Sequence, residues 1–281
     1  MIFLKTGFKV LCGLKFFQMK SKNVFLLAAL SVLLFSCKKQ DQPAPTPGVE
    51  PKLLKKISTS DREFELFTYN ANKQLIKLTS QYIDDYINNT VATDESVFTY
   101  QGSLLSKIQY ESGSIVFYYS NNRLDSTKHY TENNKLISTD YPQYNAQGQL
   151  ISVTTNFSGL FPLMPVAMMK SFVYNAEGNL IENSYSLKVT RNSDYVFQEK
   201  TVFSNFDNKP NPEPFNYLDF YFPGVTFLKN NPGKVKVYNH NNVLESDMAV
   251  SYEYNSAGYI TKKTITTAGS ANPEISFFEY Y

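Results

Sequence analysis

The sequence predicts an all-β fold: one long antiparallel meander of short hairpins, roughly 14–17 strands, in a twisted or curled sheet. Three observations predict it. The chain holds 21 Tyr and 22 Phe but no Trp, and such residues favour pleated, half-buried surfaces. An aromatic-x-Tyr, turn, Leu/Ile unit recurs beyond about residue 52. Helical periodicity is weak throughout that region, while turn signals are frequent.

The recurring unit is clearest in Phe172-Val-Tyr174-Asn-Ala-Glu-Gly178-Asn-Leu180 and Tyr252-Glu-Tyr254-Asn-Ser-Ala-Gly258-Tyr-Ile260. Tyr144-Asn-Ala-Gln-Gly148-Gln-Leu150 shares the turn, and Phe67-Thr-Tyr69-Asn-Ala-Asn-Lys-Gln-Leu75 lacks only the Gly. Weaker copies run from Tyr130 to Leu136 and from Tyr238 to Leu244, with Phe98-Thr-Tyr100 and Phe117-Tyr-Tyr119 beside them. Phe172 and Tyr174 stand two apart, so both point to one face of a strand. Asn175 opens a turn because its side chain can bond nearby backbone. Gly178 fits the left-handed position of a hairpin with a G1 bulge, and Leu180 starts the return strand. Asn121-Asn122 and Ser112-Gly113 suit shorter, two-residue turns. So many strands must twist, curl over a core, or close on themselves.

Two segments break the rhythm. Phe157 to Met169, with Pro162 and Pro165, reads as a loop capping one end of the core. Asn205 to Pro214 is turn-rich and excludes a central strand, and Phe215 to Phe222 suits a short helix on the sheet.

The first 51 residues are different in kind. Lys20 and Lys22 precede an apolar run from Val24 to Phe35, about 12 residues, where a spanning helix takes about 20. A removable export signal fits better. The run ends Leu34-Phe35-Ser36-Cys37, which resembles a bacterial lipobox, with Phe35 departing from the usual small residue. That resemblance implies acylation of Cys37, and two or three acyl chains anchor a protein stably. Lys38-Lys39-Gln-Asp-Gln-Pro-Ala-Pro-Thr-Pro-Gly then reads as an extended tether. The expected organisation is a signal over 1–36, the lipidated Cys37 and Pro-rich tether over 37–51, and the β-repeat domain over 52–281. Met19-Lys20-Ser21-Lys22 would open a leader of ordinary length, so translation is expected to begin at Met19.

Charge and residue types narrow the function. The chain is +2 overall, but residues 1–36 carry five Lys and no acid, which leaves the remainder weakly acidic. That argues against a nucleic-acid binder. Of the two cysteines, Cys12 lies in the leader and Cys37 is the anchor, so no disulfide is expected within the domain. His129 and His240 sit beside hairpin turns and read as surface residues. Asp84-Asp85 and Asp94-Glu95 read as a solvated loop around Asn88-Asn89, with calcium the alternative. No catalytic residue, cofactor or metal site is assigned.

The Tyr-Asn-Ala-Glu-Gly-Asn-Leu-Ile unit resembles the tyrosine–aspartate (YD) repeats of Rhs-type proteins, with Asn145, Asn175 and Asn255 in place of the Asp. Together with the Leu-Phe-Ser-Cys-Lys-Lys anchor, Phe206-Asp-Asn-Lys-Pro-Asn-Pro212 and Lys229-Asn-Asn-Pro232, it is similar to uncharacterised Bacteroidota lipoproteins bearing YD-like repeats, a domain of unknown function. The resemblance implies an envelope location, at the outer membrane, and brings no activity. The expected role is a non-catalytic, lipid-anchored binding or scaffold protein whose partner is an envelope protein or a glycan. The alternatives are a glycan-binding accessory protein and a hydrolase using paired carboxylates.

Overall fold

The computed structural model describes residues 52–85, 87–159, 165–213 and 222–281. The expectations for the leader, Met19, Cys37 and the tether lie outside them, as does the helix expected after Pro214, apart from its last residue Phe222. Leu53–Tyr281 forms one compact unit.

Sixteen strands follow one another: β1 (Leu54–Ser58), β2 (Phe64–Tyr69), β3 (Leu75–Asp85), β4 (Thr90–Gln101), β5 (Leu104–Tyr110), β6 (Gly113–Ser120), β7 (Arg123–Thr131), β8 (Leu136–Tyr144), β9 (Leu150–Phe157), β10 (Ala167–Tyr174), β11 (Leu180–Lys188), β12 (Val196–Pro210), β13 (Asn230–Asn239), β14 (Leu244–Tyr254), β15 (Ile260–Thr267) and β16 (Glu274–Tyr280). Each pairs antiparallel with its neighbours in sequence. Of the ways so long a meander can end, twisting, curling over a core or closing on itself, the structure takes closure. β1 pairs with β16, Ile57 opposite Phe278, and closes a barrel. Closure removes both edges of a long meander, which would otherwise offer unpaired backbone.

The turn chemistry explains the hairpins. Asn145 Oδ1 accepts from the backbone N–H of Gln147 and Gln149, while Gly148 N–H donates to Asn145 O at 3.0 Å. The same pattern recurs at Asn70 and Asn255. The left-handed position is Gly178 at φ 84° in one copy and Lys73 at φ 61° in the copy without Gly. Asn121 and Asn122, at φ 50° and 60°, make the two-residue turn expected of them. The other short turn is Glu111-Ser112, since Gly113 already pairs with Tyr110.

Each strong copy carries a bulge at its Tyr, and that Tyr faces the Leu or Ile of the return strand: Tyr69 and Leu75, Tyr100 and Leu105, Tyr174 and Leu180, Tyr254 and Ile260. These pairs point inward, near the end of the barrel where the Asn turns lie. Phe67, Phe203, Leu150 and Leu180 there are at most 1% exposed. The weaker copies at Tyr130 and Tyr238 turn at the opposite end, and their register sets Tyr130 and Tyr238 on the outer wall. The same local motif therefore serves both faces, and its phase decides which.

The outer wall mixes charged residues with exposed apolar ones, Val97, Tyr118, Tyr141, Val173 and Phe277 among them. Alternation places Lys77, Lys107, Lys128, Lys200, Lys234 and Lys262 outside, and several pair across strands: Lys234 with Asp247 at 3.1 Å, Lys262 with Glu253 at 2.8 Å, and Lys77 with Glu95.

Two expectations about interruptions change. Residues 205–210 are strand, not turn: β12 continues to Pro210 against β13, with Phe206 opposite Pro232. Its pairing with β11 ends at Val202, so the missing N–H of Pro210 breaks no ladder on that side. Ala167–Met169, expected in a loop, begin β10. The acidic pairs also move: Asp84-Asp85 end β3 and Asp94-Glu95 lie within β4, in a two-stranded ribbon that overhangs β2 and β5.

Phe67→Ala is expected to lower the unfolding free energy by about 3–5 kcal/mol in a denaturant titration, because its site is closed on all sides.

Candidate functional site

Ladders within a hairpin run to the Asn turn, but ladders between hairpins stop short of it. β3 and β4 pair only from Lys77 and Val97, and β9 and β10 only up to Ser152 and Ser171. Slits therefore open between neighbouring hairpins at this end. Tyrosine hydroxyls bridge them: Tyr100 donates to Leu75 O at 3.0 Å, Tyr119 to Leu105 O at 2.8 Å, Tyr174 to Leu150 O at 3.0 Å and Tyr252 to Pro232 O at 3.1 Å. The phenol, not only the ring, is what the repeat needs.

The slit between β7 and β8 is a long one, as is that between β13 and β14, whose ladder ends at Lys234 and Ala249. Between β7 and β8, pairing ends at Thr127 and Asp140, and the next four residues of each strand stand apart. The aromatic two positions before the turn Tyr is here Pro142, which has a smaller side chain and no N–H. A cavity of about 660 Å³ results, lined by Ser120, Asn121, Arg123, Asp125, Gln143 and Tyr144 among others. Arg123 lies over the Tyr144 ring at 5.1 Å, and the Tyr144 hydroxyl makes no hydrogen bond among the described residues. Burial pushes the Tyr144 phenol above its ordinary pKa, with Arg123 opposing. A second cavity, about 510 Å³, lies on the other side of the β8–β9 hairpin, with Gln147, Gln149, Asn175, Thr226 and Lys229 in its lining.

The β12–β13 connection packs into the same end. Phe222, Phe227 and Leu228 are buried in the core, Phe227 lies 5.2 Å from Phe172, and Leu180 N–H donates to Phe227 O at 2.8 Å. Asp207 holds the base of this segment. It accepts from Lys209 N–H at 2.9 Å, from Asn231 N–H at 3.1 Å and from the Tyr254 hydroxyl. Burial opposes ionisation of Asp207, but these donors hold its carboxyl below the ordinary value. Burial and the Asp207 charge raise the Tyr254 phenol. Lys263, 7% exposed, pairs with Glu213 at 2.8 Å. Burial raises the nearby Glu65 carboxyl, Glu213 adds to it and Lys263 opposes.

His129 is not the surface residue expected. β7 turns Thr127 and His129 inward, and β8 and β9 add Asp140 and Thr155. His129 Nε2 donates to Asp140 Oδ2 at 2.6 Å, and the hydroxyls of Thr127 and Thr155 each donate to the same carboxylate at 2.7 Å. Burial disfavours the charged form of Asp140, but these bonds outweigh it and hold the carboxyl below 3.8. Strand parity, not proximity to a turn, decides its side: parity aligns His129 with Ile115 of the core face. His240 is exposed as expected. Among the described residues no group of His, Cys, Asp and Glu is arranged to hold a metal ion. Asp125 is the one carboxylate in the lining of either cavity, so neither presents the paired acids of a glycosidase.

No protein-family model matches the chain, and no curated protein does. Among solved structures, a porin-like protein from Bacteroides uniformis is similar at TM-score 0.56 and 10% identity, over 82% of this chain and 99% of that one. A porin-like protein from Bacteroides vulgatus is similar at TM-score 0.55 and 10% identity, with the same coverage. At this identity the likeness is one of fold.

Asp140→Asn is expected to lower stability at neutral pH by about 1–3 kcal/mol, since a buried hydrogen-bonded charge is lost. A carboxyl depressed in the folded state stabilises above its unfolded value, near 3.8, and that stability drains as pH falls towards the folded value. The parent protein should therefore lose stability below about pH 4 more steeply than Asp140→Asn, as read by thermal melts across pH 2–7.

Proposed function

We propose that this is a lipid-anchored protein of the bacterial cell envelope, held at the outer membrane through Cys37, whose barrel stands in water and acts by binding a partner. The observation that carries this reading is the polarity of the two walls. A barrel that crosses a bilayer presents an apolar band about 25 Å tall to lipid and keeps its polar residues inside. Here lysines and their acidic partners stand on the outer wall, and phenylalanine, tyrosine and leucine fill the inner wall at the Asn-turn end. Each outward Lys placed at mid-bilayer would cost about 2–4 kcal/mol, so a few at that depth would offset much of the stability of an ordinary domain.

The leader and Cys37 supply the membrane attachment that such a barrel lacks. The chain enters β1 at the Asn-turn end, so that rim, with its two cavities, is the end joined to the tether. An Asn-turn end filled with aromatic and aliphatic side chains suits a scaffold or binding role.

Two measurements test this. The fragment 53–281 should purify without detergent as a monodisperse β-protein that leaves liposomes intact. Full-length protein should incorporate labelled palmitate, and exchange of residues 1–37 for a leader cleaved without acylation should move it to the soluble periplasmic fraction. A barrel that needs detergent, or one that conducts ions across a planar bilayer, would overturn the proposal.

A further inference from the structure

The cavity between β7 and β8 lies where one copy of the repeat at the Asn-turn end departs from six others there. Six copies of the repeat end aromatic-x-Tyr: Phe67-Thr-Tyr69, Phe98-Thr-Tyr100, Phe117-Tyr-Tyr119, Phe172-Val-Tyr174, Tyr252-Glu-Tyr254 and Phe278-Glu-Tyr280. The seventh is Pro142-Gln143-Tyr144. Where the aromatic is kept, Tyr100, Tyr119 and Tyr174 spend their hydroxyl on a carbonyl across the slit, while the Tyr280 hydroxyl is buried without a partner among the described residues. Where it is lost, the slit widens to about 660 Å³ and the Tyr144 hydroxyl stays uncommitted among the described residues. Both cavities beside the β8–β9 hairpin fall within the about 300–1,000 Å³ typical of small-ligand sites.

The groups presented define a chemistry. Ser120, Asn121, Gln143 and Tyr144 offer hydroxyls and amides, each able both to donate and to accept. Arg123 and Asp125 add one charge of each sign in the same cavity. Gln147 and Asn175 continue the amide row across the hairpin. There, the Lys229 ammonium lies where a side chain on Gly178 would sit, 2.6 Å from the position its Cβ would take. A ligand that is densely hydroxylated, with donors and acceptors on every edge, matches this lining. An apolar peptide finds too little greasy surface, and an acidic peptide would meet Asp125.

We infer that the rim on both sides of the β8–β9 hairpin binds an oligosaccharide, with the Tyr144 hydroxyl, Gln143 and Arg123 as its principal contacts in the β7–β8 slit. This rests on the binding role proposed above and names its ligand class. Occupancy needs no movement of the strands, because the slit is already held open by Pro142.

The test uses the full-length protein in mild detergent and calorimetric titration with soluble oligosaccharides, one set of neutral hexose oligomers and one of uronic-acid oligomers. Binding to at least one set is expected. Tyr144→Phe should weaken it about threefold to tenfold, the effect of one hydrogen bond, and Arg123→Ala with Gln143→Ala should weaken it further. Tyr100→Phe, whose hydroxyl is committed to Leu75 O across the β3–β4 slit, should bind as the parent does. Thermal melts of each variant separate lost binding from lost folding. Absence of binding to both sets at millimolar concentration overturns the inference. So does binding that Tyr144→Phe and the double variant leave unchanged, or a preference for peptides in a parallel titration. Lipid labelling and solubility read the envelope proposal separately, so an anchored barrel that takes no sugar would sink this inference alone.

Discussion

Everything in this barrel follows from one constraint: in a closed antiparallel sheet, alternate residues of each strand must go to opposite walls. The repeat exploits this by setting an aromatic and a tyrosine two positions apart, just before an Asn-led turn. Both then fall on the inner wall, near one rim, hairpin after hairpin. The rings fill that end, and several hydroxyls reach across the gaps that hairpin stagger leaves between neighbouring ladders. Phenylalanine at the turn position would fill the same volume but would leave a carbonyl unbonded.

The same constraint sorts the charges. Lysines placed one position out of phase with the rings go outside, where cross-strand acids and water satisfy them. Inside, Thr127, His129, Asp140 and Thr155 form a set whose members satisfy one another. Breaking such a set strands a buried group, which is why its loss is costly. The plug between β12 and β13 is held in the same way through Asp207 and its donors.

Much of this was legible in the residues, because turn chemistry is local. Asn145, Asn175 and Asn255 announced their hairpins, and the strand number fell in the expected range. Closure was not legible: β1 carries no copy of the repeat, and its partner β16 lies more than two hundred residues away. Pro210 is tolerable in β12 because one side of the strand is unpaired there, and sequence does not reveal which side that is. His129 was misplaced for want of parity, which bulges reset from hairpin to hairpin. The β7–β8 cavity was overlooked, although Pro142 in a position otherwise aromatic was its signal. The outward placement of the lysines follows from the alternation once the bulges are known.

Hydrogen exchange of the native protein, resolved to single amides, tests closure most directly. A barrel joined through β1 and β16 predicts that the amides of Ile57 and Phe278 are protected to the same order as those of Val153 and Leu105. Exchange of the two terminal strands at the rate of an unpaired edge, with the centre still protected, would contradict it.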